Sequence, residues 1–353
     1  MQRRLERFDA KLVQSGLDAL LVTGQNNIYY LTDFWGTNAT VFITKNRRLF
    51  LTDSRYTLIA KQSVHGFDII ESKDPLKDIV KFVEVDKLET IGFDNQVSFA
   101  YYQALQEIFE GYTLSPQTNF MEELRMIKDE KELATIRKAC SISDRAFTDV
   151  LDFIKPGQTT ELQVANFLDF RMREYGASGI SFESIIASGY RSAMPHGVAS
   201  DKVIQSGETL TMDFGCYYNH YVSDMTRTIH IGETTDEERE IYDIVLRSNR
   251  ALIDATKAGM TRRDYDKVAR DVIVEAGYGD YFTHDIGHGI GLDIHEIPYF
   301  GNSDETIEAG MVLTDEPGIY LADKYGVRIE DDIIITENGC EVITLAPKEL
   351  IVL

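Results

Sequence analysis

Apolar residues in the first third of the chain come in short runs: DALLV, TVFITK, RLFLT, DII and TIGFD. Runs of this length, rich in branched side chains, predict strands. Between them, LKDIVKFVEV and AYYQALQEIF place apolar residues at helical spacing. A further helix is expected from Arg3 to about Ser15, stopped by Gly16. Strands alternating with helices predict an α/β domain. The alternation ends near Asn119, and Met121 to Asp129 reads as a link.

The pattern then changes. A long helical period runs from about Asp129 to Ile154 and stops at Lys155-Pro156-Gly157. Thr160 and Gln163 have capping-box spacing and should open the next helix. Strand-like segments follow: SFESIIAS, ETLTMDFG and HYVSDMTRTIHI. Thr235 and Glu238 form a second capping box, opening a helix to about Ala258, and another helix should span Arg262 to Ala276. The last quarter, GMVLTDEPG and GVRIEDDIIIT, reads as strands and turns. Two domains are expected, 1–122 of α/β class and 123–353 of α+β class. No short-period repeat or low-complexity segment interrupts them.

Composition narrows the partners. Across 353 residues there are 58 acidic and 36 basic side chains, a formal net charge of −22. Such a chain repels nucleic acid phosphates and anionic membranes, so neither is an expected partner. No stretch approaches the ~20 apolar residues of a membrane span. The N-terminal MQRRLERFDAKLV alternates charged and apolar residues and lacks the apolar core of a signal peptide. Three widely spaced cysteines, Cys140, Cys216 and Cys340, form no paired motif and fit a reducing, cytoplasmic setting.

The candidate chemistry lies in the second domain. Asp213, Asp224, His288, Glu316 and Glu330 sit in TMDFG, VSDMTRT, GHGIGL, TDEPGIY and VRIEDD. A single Asp on a strand is ordinarily a surface or turn residue. Four carboxylates gathered into one pocket, however, repel each other and resist ionising together. Two divalent cations would cancel that charge, so the set reads as a two-metal hydrolase site. Asp213 and Asp224 flank an expected hairpin, DFGCYYNHYVSD, with a turn over Tyr217 to Tyr221. An oxygen-rich site with one imidazole suits manganese, cobalt, iron or zinc. Metal pairs of this kind acidify water and polarise a substrate carbonyl, giving hydroxide attack at neutral pH.

With SGYRSAMPHG, TMDFGCYYNHYVSDMTRTIHIG, GHGIGLDIHEIP, LTDEPGIY and VRIEDD together, and LTDFWGTNATVFITK and LTDSRY before them, the chain resembles the pita-bread-fold metallopeptidases of the aminopeptidase P and prolidase group. The resemblance implies an α/β N-terminal creatinase-like domain followed by an α+β pita-bread catalytic domain. It implies two divalent ions, with Mn2+ expected ahead of Co2+, Zn2+ or Fe2+. Asp213 would chelate one ion, His288 and Glu316 the other, and Asp224 and Glu330 would bridge both. It further implies roles for His196, His284, His295, Arg328 and Tyr320 around the substrate. A homodimer is implied as well, in which Trp35 could edge a neighbouring subunit's site. Asp315 departs from the group, whose members often carry an aliphatic residue before the glutamate. As a neighbour of Glu316 on a strand it is expected to point away from the metals.

Proline-containing peptides are the expected substrates. A bond preceding proline has no N–H for a general peptidase to grip. His295 is the expected donor to the developing oxyanion, and Glu316 the expected proton shuttle. The segment from His295 to Val312 contains no Lys or Arg. A dipeptidase would want arginine for the substrate carboxylate. The expectation is therefore an Xaa-Pro aminopeptidase, with an Xaa-Pro dipeptidase as the alternative. A metal-free binding module is a remote third reading, because such modules replace the ligand carboxylates.

Overall fold

The computed structural model describes residues 1–353. The chain forms two compact units, Met1–Arg125 and Met126–Leu353.

In the first unit, the apolar runs assemble into one six-stranded sheet. Its order is Asp68–Glu71, Arg48–Thr52, Ala39–Thr44, Ala19–Val22, Thr90–Asp94 and Thr113–Gln117. Ala19–Val22 pairs antiparallel with Ala39–Thr44 and parallel with Thr90–Asp94. All four of its residues are buried, as expected for a central strand covered on both faces. Helices Pro75–Asp86 and Phe99–Ile108 bury Ile79, Val83 and Leu105 against Leu21, Phe42, Ile91 and Phe93. Two short helices, Gln25–Thr32 and Thr57–Ser63, were not anticipated. The expected link is also largely structured: Phe120–Met126 is a helix that buries Phe120, Met121 and Leu124.

The second unit opens with helix Glu130–Phe153, begun by a capping box between Asp129 and Glu132. Helix Glu161–Glu174 follows, with the expected box at Thr160 and Gln163. Both pack on a three-stranded antiparallel sheet, ordered Met225–Ile231, Glu208–Phe214, Ile185–Ser188. Ile142, Phe147, Leu168, Met212 and Ile229 are among the side chains buried there. A second pair of helices, Asp236–Ala255 and Arg262–Glu275, covers a five-stranded sheet. The first of these ends three residues before Ala258. That sheet is ordered Glu296–Tyr299, His288–Gly289, Val312–Asp315, Asp331–Thr336, Gly339–Val342. Val245, Tyr265, Leu313 and Ile333 belong to its core. Gly318–Leu321 and Tyr325–Arg328 form a separate two-stranded ribbon.

No helix is long and apolar enough to cross a membrane. The three cysteines are free thiols.

Candidate metal centre

The site is assembled from strand ends. Asp213 lies on Glu208–Phe214, opposite Thr226 on Met225–Ile231. Asp224 stands two residues before Thr226, so its side chain leaves the same face. The chain between them does not form the expected broad turn. Cys216–Tyr218 and Tyr221–Val222 pair closely, leaving a two-residue turn of Asn219 and His220. Both turn residues have positive φ, 45° and 71°, as a tight hairpin of matching twist requires. Gly215 is forced by packing: a Cβ there would lie 1.8 Å from the Ser223 carbonyl oxygen.

Glu316 directly follows strand Val312–Asp315, and Glu330 directly precedes Asp331–Thr336. These strands pair antiparallel, ending in the register Asp315 opposite Asp331. The two glutamates therefore extend from neighbouring ends of one ladder. His288 begins its strand beside them, after a glycine whose Cβ would meet the Thr314 carbonyl at 2.4 Å. The side chains converge on one cavity of about 480 Å³. His196, Asp213, Asp224, His284, His288, His295, Glu316, Arg328 and Glu330 all line it. Tyr320 is not on that wall but touches two residues that are.

Hydrogen bonds fix the surroundings. Arg328 donates from Nη2 to Asp213 Oδ2 at 2.6 Å, and from Nη1 to Tyr320 Oη at 2.9 Å and the Pro195 carbonyl at 3.2 Å. Its Nε donates to Thr226 Oγ1 at 3.0 Å, and that hydroxyl donates to Glu330 Oε2 at 2.5 Å. Arg328 thus pairs with Asp213 and reaches Glu330 through Thr226. Tyr320 Oη lies 2.8 Å from His284 Nε2, while His284 Nδ1 lies 2.7 Å from the Asp285 carbonyl. A carbonyl only accepts, so Nδ1 carries the proton and Nε2 accepts from the tyrosine. Thr226 had no motif of its own. Its signal was its place two residues after Asp224 on one strand face.

The electrostatics are unusual for a protein interior. Burial pushes the carboxyls of Asp213, Asp224, Glu316 and Glu330 above the ordinary range, Glu316 to about 8. For Asp224, the charges on Glu330, Asp213, Asp332 and Glu316 add to burial. Arg328 is the one Lys or Arg side chain on the cavity wall. Asp213 Oδ1 and Asp224 Oδ1 are buried without any hydrogen-bond partner. Unsatisfied buried oxygens of this kind are costly and call for a missing partner.

His288 points the same way. Burial, with a contribution from His295, pushes its pKa down to about 4, so the ring is neutral. Its Nδ1 faces the Gly289 carbonyl at 3.2 Å and carries the proton. The lone pair on Nε2 then faces Asp224 Oδ2 at 3.7 Å and Glu316 Oε1 at 3.6 Å. Lone pairs turned toward one another repel unless a proton or a cation sits among them. Ligand atoms of Asp224, His288 and Glu330 all lie within 4.8 Å of one another. The donor set fits divalent metal.

Comparison with known proteins agrees with this chemistry. Residues 134–337 match the Metallopeptidase family M24, and residues 4–127 match the Creatinase/Prolidase N-terminal domain. The chain belongs to the M24 pita-bread metallopeptidases, in the branch with a creatinase-type N-terminal α/β domain. Divalent metal ions are implied by that membership. The structure of an Xaa-Pro dipeptidase from Bacillus anthracis superposes with a TM-score of 0.97 at 43% identity, covering 100% of this chain and 99% of that one. An X-Pro aminopeptidase from Thermotoga maritima gives 0.91 at 38% identity, covering 98% and 100%. In sequence, the Xaa-Pro dipeptidase of Pyrococcus furiosus is 38% identical over 358 residues, covering 99% of this chain and 100% of the relative.

Proposed function

We propose that this protein is an Xaa-Pro dipeptidase, hydrolysing the bond before proline at a dinuclear centre for which manganese is the first candidate. The observation that carries the hydrolase reading is the cage itself: three buried carboxylates, a partly buried fourth and a neutral imidazole converge with only one guanidinium to offset them. Whole-chain similarity to the Bacillus anthracis and Pyrococcus furiosus dipeptidases supports the substrate, and revises the expectation of an aminopeptidase.

Asp213, Asp224, His288, Glu316 and Glu330 would hold the ions. Bound there, divalent metal supplies Lewis acidity and lowers the pKa of water from ~15.7 toward ~7. The rest falls to side chains. Glu316 accepts a proton from the attacking water at its carboxylate and passes it to the departing proline nitrogen. That nitrogen is strongly basic and leaves poorly unprotonated. His295, whose ring stands 4.3 Å from that of His288, donates to the carbonyl oxygen as it gains charge. Burial lowers its pKa, so it donates as a neutral ring. Arg328 holds Asp213 directly and Glu330 through Thr226. Tyr320 and His284 extend that chain to the cavity wall, and His196 faces the substrate from the loop whose Pro195 carbonyl Arg328 also holds. A homodimer accompanies this reading and is checked by light scattering.

One observation favours the aminopeptidase as a second reading. A dipeptide presents its proline carboxylate inside the cavity, yet the one guanidinium there is engaged by Asp213, Tyr320, Pro195 and Thr226. Tyr299 occupies the neighbouring wall, in a segment without Lys or Arg. A manganese-loaded sample assayed on Gly-Pro, Arg-Pro-Pro and longer Xaa-Pro peptides separates the two. Cleavage confined to dipeptides supports the dipeptidase. Release of the first residue from longer peptides supports the aminopeptidase, and no cleavage with any divalent metal contradicts both.

A further inference from the structure

Behind the metal-facing carboxylates lies a second buried polar cluster, on the opposite face of the same two strands. Asp315 precedes Glu316, and Asp331 follows Glu330. Neighbours on a strand leave opposite faces, so both aspartates turn away from the cavity. Each is fully buried. Between them sits Asn249, fully buried on helix Asp236–Ala255. Its Nδ2 donates to Asp315 Oδ2 and to Asp331 Oδ2, each at 3.1 Å. Its Oδ1 accepts from Lys348 Nζ at 2.9 Å. The amide orientation is fixed, because an ammonium can only donate. Lys348 also pairs with Asp331 Oδ2 at 2.5 Å, and Arg227 Nη2 with Asp331 Oδ1 at 2.8 Å. Arg227 Nη1 reaches the Glu330 carbonyl at 2.5 Å.

Asp315 and Asp331 are the last register pair of their ladder. Beyond it the strands part, and the two glutamates leave without further pairing between them. One amide therefore spans the two strand ends at the point that sets the glutamates' separation. Metal affinity depends steeply on such spacing, since ligand distances tolerate only about ±0.2 Å.

We propose that Asn249 is a positioning residue for the metal centre, a bolt behind the site that fixes the separation of Glu316 and Glu330. The inference rests on the metal-centre reading above. Asn249 touches neither substrate nor metal and acts only through the two aspartates. The strain of a missing bolt is expressed as weaker metal binding, with the substrate pocket left intact.

The test is calorimetric titration of the metal-stripped full chain with manganese. Asn249→Leu keeps the branching and heavy-atom count of the side chain and removes all three hydrogen bonds. It is expected to weaken manganese binding by about tenfold or more, the usual cost of losing an outer partner. At saturating manganese kcat falls while KM stays near wild type. Leu252→Ala, one turn along the same helix and equally buried, serves as the control that loosens packing alone. It should lower Tm and leave manganese affinity unchanged. Unchanged affinity in Asn249→Leu, or equal weakening in Leu252→Ala, overturns the inference while the metal centre stands. Should Asn249→Leu fail to fold, Lys348→Met removes the amide's third partner from the rim. Weakened binding there supports the inference, and unchanged binding overturns it. Wild-type protein that takes up no manganese overturns the metal-centre reading itself.

Discussion

Glu330 and Asp331 are adjacent in sequence, both buried, and opposite in electrostatic character. Glu330 faces the cavity, where burial and the charges of Glu316 and Asp213 push its carboxyl well above the ordinary range. Asp331 faces the cluster behind. Burial pushes it up as well, but Arg227 and Lys348 more than reverse this and hold it below the ordinary value. Both faces are crowded with acids. The back face supplies Arg227 and Lys348 to Asp331 and leaves Asp315 Oδ1 without a partner, whereas the front face supplies one guanidinium and leaves Asp213 Oδ1 and Asp224 Oδ1 unpartnered. The contrast separates an aspartate paired with cations of the chain itself from a glutamate among acids that share a single guanidinium. The back face is not wholly neutralised. Burial and the charge of Asp331 also raise Asp315. Asp332, one residue further along the strand, leaves the Glu330 face, and burial takes it up to about 8 even though it accepts from the Asp224 backbone N–H and from Cys140.

The same substitution on the two faces should therefore have opposite consequences. Asp224→Asn is expected to remove turnover, by more than the roughly 10–100-fold that loss of an outer partner costs. Its metal-free form should melt no lower than metal-free wild type, because a repelling charge is gone. Thermal melts and assays on one preparation check both halves. Near-wild-type activity would argue strongly against Asp224 as a ligand.

Acidity provides a second contrast. Glu316 has a folded pKa of about 8 against an ordinary 4.5. The folded chain then binds more protons than the unfolded one across that interval, so stability falls as pH rises through it. Metal-free protein should lose Tm steadily from about pH 4.5 to about pH 8, with Asp224 and Glu330 adding to the loss. Saturating manganese should abolish the decline, since ions replace protons. A metal-free Tm that rises over this range would contradict the front-face electrostatics.

Asp331→Asn breaks a buried ion pair and strands Arg227. A loss of about 3–5 kcal/mol is expected in denaturant melts, with or without metal. His295→Ala should act on catalysis alone. Removing one donor to a developing oxyanion costs roughly 2.7–4 kcal/mol in kcat. A change confined to KM would mean that His295 binds substrate and transition state alike.

Much of this was legible in the sequence because local chemistry marked it. The capping boxes at Thr160 and Thr235 and the Pro-Gly stop after Lys155 are short-range signals, and they stand in the structure as read. The cavity-lining acids could be singled out because each sits beside a glycine, proline or alternating strand pattern that fixes its direction. What escaped depends on distant packing. Asn249 reads as an ordinary helical residue until two strand ends, a lysine from the C-terminal segment and Arg227 close around it. Arg328 was placed near the substrate by resemblance alone, and its pairing with Asp213 follows from the ribbon that carries it. The hairpin turn was read too long because Asn219 and His220 carry no glycine to announce positive φ. The segment from Met121 looked like a link because the helix that covers its start, Phe120–Met126, is only two turns long, and burial rather than propensity stabilises it.

The most direct measurement is metal stoichiometry on catalytically competent protein, by elemental analysis alongside manganese titration of the stripped chain. Two ions per chain are expected in wild type, with activity rising in step with occupancy, and fewer in Asp224→Asn. Full turnover by protein that holds no divalent ion would contradict the account at its root.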